Sequence, residues 1–294
     1  MNVIEVRGLT RDYGGGRGVF DLTFGVERGE VFGFLGPNGA GKTTTIRHLL
    51  GFLHPRAGHC AIAGMDCARQ SADIQRRLGY LPGEIAFPDG MNGVELLRFV
   101  ARLKGVDGLG RGPELMERFQ LDPKGKVRRM SKGMKQKLGL VCAFLSDPDI
   151  LILDEPTSGL DPLMQNAFVE LIREERDRGK TILMSSHMFD EVERTCGRAA
   201  ILKRGRLAAV EEMDILRSTR ENRYLVSFSG PDAAAAFAAE VGGAEAEGCR
   251  VTVNVRGELA PFLAALARHP VTGLDVRHQT LEELFLRYYG GEAG

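Results

Sequence analysis

The feature that most narrows what this 294-residue chain can fold into lies near its N-terminus. Gly36-Pro37-Asn38-Gly39-Ala40-Gly41-Lys42-Thr43 fits the pattern G-x-x-x-x-G-K-[ST]. The run before it, Val31–Leu35 (VFGFL), is short and apolar, as a buried strand is. The run after it, TTTIRHLLGFL, carries a helical pattern. Strand, glycine loop and helix in that order surround an anion with backbone N–H groups and the positive end of a helix. Lys42 reaches β and γ phosphates as a point charge, and the Thr43 hydroxyl is offered to Mg²⁺. Gly36, Pro37, Asn38, Gly39, Ala40, Gly41, Lys42, Thr43 and Thr44 are therefore candidate nucleotide contacts.

Two further apolar runs end in chemistry. Ile150–Asp154 (ILILD) ends in the pair Asp154-Glu155, and Thr181–Ser185 (TILMS) leads into His187. Such runs followed by polar loops and helical patterns predict an α/β fold around a mostly parallel sheet. Asp154 is placed to hold Mg²⁺ through water, and Glu155 is the candidate base or positioner for an attacking water. One metal, one lysine and one water-holding group suffice for phosphoryl transfer. His187 closes a strand expected beside the Asp154 strand. Spacing alone leaves it open between a structural role and a hydrogen bond to a γ-phosphate.

Between about residues 85 and 147 the pattern is helical: Val94–Leu103, Pro113–Phe119 and Lys132–Leu145. This predicts a helical insertion in an α/β domain spanning 1–217. From 218 to 294 the order reads β-α-β-β-α-β, the pattern of small ferredoxin-like α+β domains. The strands are Arg223–Ser229, Ala244–Glu247, Arg250–Val255 and Leu274–His278, with helices at Asp232–Val241 and Glu258–His269. Leu281–Tyr289 follows as a short amphipathic helix suited to docking.

Composition narrows the partners. Lys and Arg total 39, and so do Asp and Glu, so there is no global basic field for nucleic acid. The best apolar run, Leu138–Leu145, is far short of the roughly 20 residues that span a bilayer. The N-terminus lacks an apolar signal core. Five scattered cysteines without a CxxC read as reduced thiols rather than a zinc site.

Taken together, these residues resemble the nucleotide-binding subunit of an ABC (ATP-binding cassette) transporter. Met130-Ser131-Lys132-Gly133-Met134-Lys135-Gln136 stands where the family has its Leu-Ser-Gly-Gly-Gln signature, with Lys132 and Met134 as departures. Ser158-Gly159-Leu160-Asp161 matches the D-loop, His187 the switch histidine, and Tyr13 the aromatic that stacks on adenine. The resemblance covers about residues 2–217. It implies that ATP is sandwiched in a head-to-tail dimer, here expected to be a homodimer. Lys42, Asp154, Glu155 and His187 of one chain would then face Ser131 and Gly133 of the other. Asp161 is carried over as a further nucleotide-binding position. The family's glutamine after the strand equivalent to Leu78–Leu81 is replaced by Gly83, with Glu84 next. Either Glu84 substitutes as a metal ligand or water fills the place.

The Ser-Lys-Gly-Met form, the single cassette and the C-terminal extension resemble ATPases of drug and antibiotic exporters. That implies a separate integral-membrane permease, ATP and Mg²⁺, and a cytoplasmic place at the inner face of the membrane. A soluble ABC ATPase acting on ribosomes or DNA is the alternative, and a module that has lost turnover is a third.

Overall fold

The computed structural model describes residues 2–218, 222–255 and 259–278. The chain divides into two compact units, Met1–Met213 and Asp214–Gly294. The division falls slightly before residue 218.

The first unit opens with β1 (Asn2–Asp12), β2 (Gly18–Glu27) and β3 (Val31–Leu35). Then come α1 (Lys42–Leu49), β4 (Ala57–Ile62), β5 (Met65–Asp66), α2 (Ser71–Arg77) and β6 (Leu78–Leu81). The helical insertion holds α3 (Gly93–Leu103), α4 (Gly112–Arg118), a 3₁₀ turn at Val127–Arg129 and α5 (Lys132–Phe144). The chain returns through β7 (Ile150–Asp154), α6 (Pro162–Asp177), β8 (Thr181–Ser186), α7 (Phe189–Thr195), β9 (Arg198–Lys203) and β10 (Arg206–Glu212). Helix α8 (Met213–Ser218) starts at the last residue of this unit and continues into the second.

Two sheets build this unit. A six-stranded sheet has the order β10-β9-β3-β8-β7-β6, parallel except for the hairpin β9–β10. Every residue of β3 and β7 is buried, which accounts for their unbroken apolar runs. The second sheet, β2-β1-β4-β5, is antiparallel. It is absent from the reading of the sequence. β1 and β2 carry register shifts and a mixed polar pattern, so their alternation is broken along the chain. Helix α1 stops at Leu49, short of the predicted run through Leu53. A shared core fills the space around α1, with Ile4, Val6, Phe24, Phe32, Ile46 and Ile152 among its residues. Phe24 of β2 stacks on Phe32 of β3 at 5.7 Å between ring centroids, tying one sheet to the other.

Side-chain capping sets the helical insertion. Asn92 and Glu95 form a reciprocal capping box at the start of α3, with bonds of 2.9 and 2.8 Å. The insertion is tied to α6 by charge: Arg111 donates to the buried Glu175 at 2.6 Å, and Arg178 donates to the same carboxylate at 2.9 Å. Two cations on one buried carboxylate make that pair costly to break from either side.

The second unit contains β11 (Asn222–Phe228), α9 (Pro231–Val241), β12 (Glu245–Glu247), β13 (Arg250–Val255), α10 (Ala260–Leu266) and β14 (Val271–His278). Its sheet runs β12-β13-β11-β14, with every neighbouring pair antiparallel. Its own core includes Tyr224, Val226, Phe237, Val251 and Phe262. The expected helix at Leu281–Tyr289 lies outside the described residues.

Gly79 in β6 reports how closely α5 approaches the sheet. A Cβ there would stand 2.1 Å from the Ala143 carbonyl oxygen. Gly79→Ala is expected to destabilise the protein by about 2–3 kcal/mol through overpacking, measured by equilibrium denaturation.

Candidate nucleotide-binding and hydrolysis site

The parallel ladder brings the chemistry to one edge of the sheet. Leu35 pairs with Ser186, and Asp154 with Ser185, so β3, β7 and β8 end almost level. Leu81, the last residue of β6, pairs with Leu153. Ligands of α/β sheets bind beyond such carboxyl ends. A cleft of about 650 Å³ opens there, lined by Tyr13, the glycine loop from Pro37, Thr43, Thr44, Asp154 and Glu155.

Lys42 begins α1 and is buried. Its Nζ donates to the Gly36 carbonyl at 2.6 Å and lies 3.1 Å from Glu155 Oε1. The Thr43 hydroxyl donates to Asp154 Oδ2 at 2.8 Å, and the Ser185 hydroxyl donates to Oδ1. Asp154 is 0% exposed, so those hydroxyls take the place of water around its carboxylate. His187 Nδ1 is 2.5 Å from Glu155 Oε2. Glu155 thus divides its two oxygens between Lys42 and His187.

The backbone at Glu155 is unusual, with φ of 50°. That left-handed conformation is uncommon for a residue with a Cβ, and here it is held from two sides. The Glu155 N–H donates to the Ser185 carbonyl at 3.1 Å. The Gln136 side-chain amide donates to the Glu155 carbonyl at 3.2 Å and to the Pro156 carbonyl at 2.8 Å. Gln136 is buried and belongs to α5, so the start of the signature helix is bonded directly to the turn that aims Glu155.

The sequence places Gln136 in the signature run and Ser185 at the end of a buried strand but assigns neither a role at the site. A signal for Gln136 was present. It shares the apolar stripe of Gly139, Leu140 and Ala143 at i, i+3, i+4 and i+7, where an uncharged amide among Lys132, Lys135 and Lys137 stands out. Ser185 gave none, because its partner comes from another strand. Tyr80 is a further unpredicted wall of the cleft; its burial, with the charge of Asp154 adding to it, pushes the phenol up to about 12.

The remaining predicted residues divide into two groups. Tyr13 lies on the cleft, 46% exposed, with the Arg11 guanidinium 5.5 Å from its ring centroid. Gly83 and Glu84 also line it. A Cβ on Gly83 would come 3.1 Å from Asp154 Oδ2, so a side chain there would crowd that carboxylate. Ser131, Gly133 and Asp161 are not part of the cleft wall. Within one chain they have structural duties. Ser131 caps α5 by accepting from the Met134 N–H at 3.2 Å, and Asp161 caps α6 by accepting from the Met164 N–H at 3.0 Å. At Gly133 a Cβ would stand 2.8 Å from the Gly159 carbonyl oxygen, so the missing side chain lets the D-loop pack on α5.

The donor set suits Mg²⁺. Thr43 and Asp154 offer a hydroxyl and a carboxylate 2.8 Å apart. Mg²⁺ takes hard oxygen ligands and is commonly held by one or two protein groups together with substrate phosphates and water.

Comparison with known proteins agrees with this geometry. The family described as ABC transporter matches residues 19–158. The Nod factor export ATP-binding protein I of Burkholderia orbicola (strain AU 1054) is 36% identical over 304 residues, covering 98% of this chain and 97% of that protein. The chain belongs to the ABC transporter ATP-binding family. A second relative, the probable multidrug ABC transporter ATP-binding protein YbhF of Escherichia coli (strain K12), is 35% identical over 225 residues. That alignment spans 75% of this chain and 39% of YbhF. A solved ATP-binding subunit of an ABC transporter superposes with a TM-score of 0.68 at 37% identity, over 73% of this chain and 92% of its own. As a member of this family the chain is an ATP-binding, ATP-hydrolysing subunit with the mixed α/β cassette fold. Among the described residues no helix is long and apolar enough to cross a membrane.

Gln136→Leu roughly keeps the volume of the side chain, leaves the buried Pro156 carbonyl without its side-chain donor and removes one of two donors to the Glu155 carbonyl. It is expected to cost about 1–3 kcal/mol of stability and to slow ATP turnover, checked by thermal unfolding and steady-state ATPase assay.

Proposed function

We propose that this chain powers an exporter: two copies close head-to-tail on two ATP molecules and drive a separate integral-membrane permease. The cargo class that fits is drugs, antibiotics or other amphipathic compounds. The observation that carries the reading is the split of the site. The cleft of one chain supplies Lys42, Thr43, Asp154 and Glu155, with His187 joined to it through Glu155, while Ser131 and Gly133 lie outside its wall with no such link to it. Ser131 and Gly133 open α5, whose exposed first residues present a helix N-terminus to a neighbour. Such an arrangement is completed by a second copy. Support also comes from the relatives, which are named for Nod factor export and multidrug transport. A fold neighbour, an ATP-binding cassette bound to ADP and Pi, is dimeric.

The chemistry follows from the side chains. The γ-phosphate of an incoming nucleotide competes with Glu155 for the Lys42 ammonium and frees the Glu155 oxygen now paired at 3.1 Å. Glu155 then accepts the proton of the attacking water. His187, with Nδ1 oriented by Glu155, presents its other nitrogen to a γ-phosphate oxygen. Tyr13 offers a ring face to the base at the outer end of the cleft. Thr43 and Asp154 would hold Mg²⁺, which when bound offsets charge on the β and γ phosphates. The helical insertion carries α5, and through Gln136 any movement of α5 is felt at Glu155.

Glu155→Gln is expected to bind ATP, form a stable dimer by sedimentation and slow turnover by about 100-fold or more. Hydrolysis at the wild-type single-turnover rate would remove Glu155 from this role. Copurification of the wild-type chain with a multi-span membrane subunit checks the transport reading; tight, salt-sensitive binding to ribosomes or DNA in its place would overturn it.

A further inference from the structure

One buried carboxyl beneath the site takes part in none of these steps. Glu191, in the first turn of α7, is 5% exposed. An acid in a first helical turn is ordinarily solvated and interacts with the helix dipole from outside. Glu191 instead points inward. Its Oε2 accepts from the Ser186 hydroxyl at 2.6 Å, while its Oε1 is shut off from water without a hydrogen-bond partner at normal distance.

That contact belongs to the segment that carries His187. Ser186 is the last residue of β8, next to His187 in the chain, and its hydroxyl oxygen also accepts the Met188 N–H at 2.9 Å. Ser186 therefore fixes the backbone on both sides of His187. The Glu191 backbone is pinned in turn, because the Thr195 hydroxyl donates to its carbonyl at 2.7 Å. One side chain thus holds the loop whose His187 meets Glu155 at 2.5 Å.

We propose that Glu191 is a positioning residue for hydrolysis. It holds the His187 segment in place through Ser186, and so sets the distance between His187 and Glu155. The proposal rests on the roles given above to Glu155 and His187. A purely structural role fits the burial poorly. A half-satisfied buried carboxyl costs stability, and an apolar residue of similar volume would serve packing at least as well. Burial pushes the Glu191 carboxyl up to about 7, against the opposing bond of Ser186, and the charge of Glu155 raises it further.

The test uses the full chain in four forms besides wild type: Glu191→Met, Glu191→Gln, His187→Ala and His187→Ala combined with Glu191→Met. Glu191→Met is expected to melt no lower than wild type yet lose about tenfold or more in kcat, with KM for ATP within about twofold, since misplacing a reacting group costs turnover rather than binding. Glu191→Gln keeps an oxygen acceptor for Ser186 and is expected within about threefold of wild-type kcat. In the His187→Ala background, Glu191→Met is expected to slow turnover by less than about twofold further, because both changes remove the same arrangement. An equal fractional loss in both backgrounds, or wild-type kcat for Glu191→Met, overturns the brace and leaves His187 in its role. Wild-type kcat for His187→Ala shows that the role of His187 itself fails, and the brace with it. Glu191→Gln as slow as Glu191→Met also overturns the hydrogen-bonded brace.

Discussion

Two hydroxyl bonds to one buried carboxylate hold this site together. Thr43 and Ser185 donate to opposite oxygens of Asp154, joining the phosphate loop, β7 and β8 at a point that water does not reach. Those bonds can form only because the strands are parallel and end together, with Asp154 paired to Ser185 and Leu35 to Ser186. A shift of register by one residue would turn each of these side chains to the opposite face. The fully apolar strands β3 and β7 resist that shift, since both of their faces are packed. Core packing and site geometry are here the same constraint.

Glu155 stands one residue beyond that anchor, and its surroundings are correspondingly exacting. Its left-handed backbone is held by bonds from β8 and from α5, while its carboxylate faces a lysine on one side and a histidine on the other. Strain at a working residue persists only where neighbours over-determine the conformation. Gln136 is one such neighbour. It also joins the helical insertion to the hydrolytic centre by two hydrogen bonds, at 3.2 and 2.8 Å. A helix that begins at Ser131 therefore communicates with the cleft through its own buried side, five residues further along.

The second unit has a different logic. Its described residues form an antiparallel sheet on which α9 and α10 sit, with a separate aromatic core in which Tyr224 packs on Phe262 at 4.7 Å and Phe228 on Phe237 at 5.0 Å. The element order along the chain is the β-α-β-β-α-β expected of its pattern. The strand boundaries move by only a few residues from the sequence reading, because turn residues such as Gly230 and Gly248 sit between short alternating runs.

Much of the first unit could be read from the chain alone, for a local reason. The phosphate loop, the buried strands β3, β7 and β8, and helices α3, α4 and α5 each carry their signal within a dozen or so neighbouring residues, as apolar period, glycine spacing or a cap. The antiparallel sheet was missed because bulges interrupt its alternation. Ser185 and Glu191 were missed because a serine in a strand and an acid in a first helical turn are ordinary until the fold puts a carboxylate beside one and a hydrophobic interior around the other. The amino-acid sequence by itself determined which groups are available to grip a triphosphate and on which elements they ride. Only the tertiary structure decided which of them meet, since Asp154 with Thr43, Glu155 with His187 and Glu191 with Ser186 depend on strand order, register and burial rather than on neighbours along the chain.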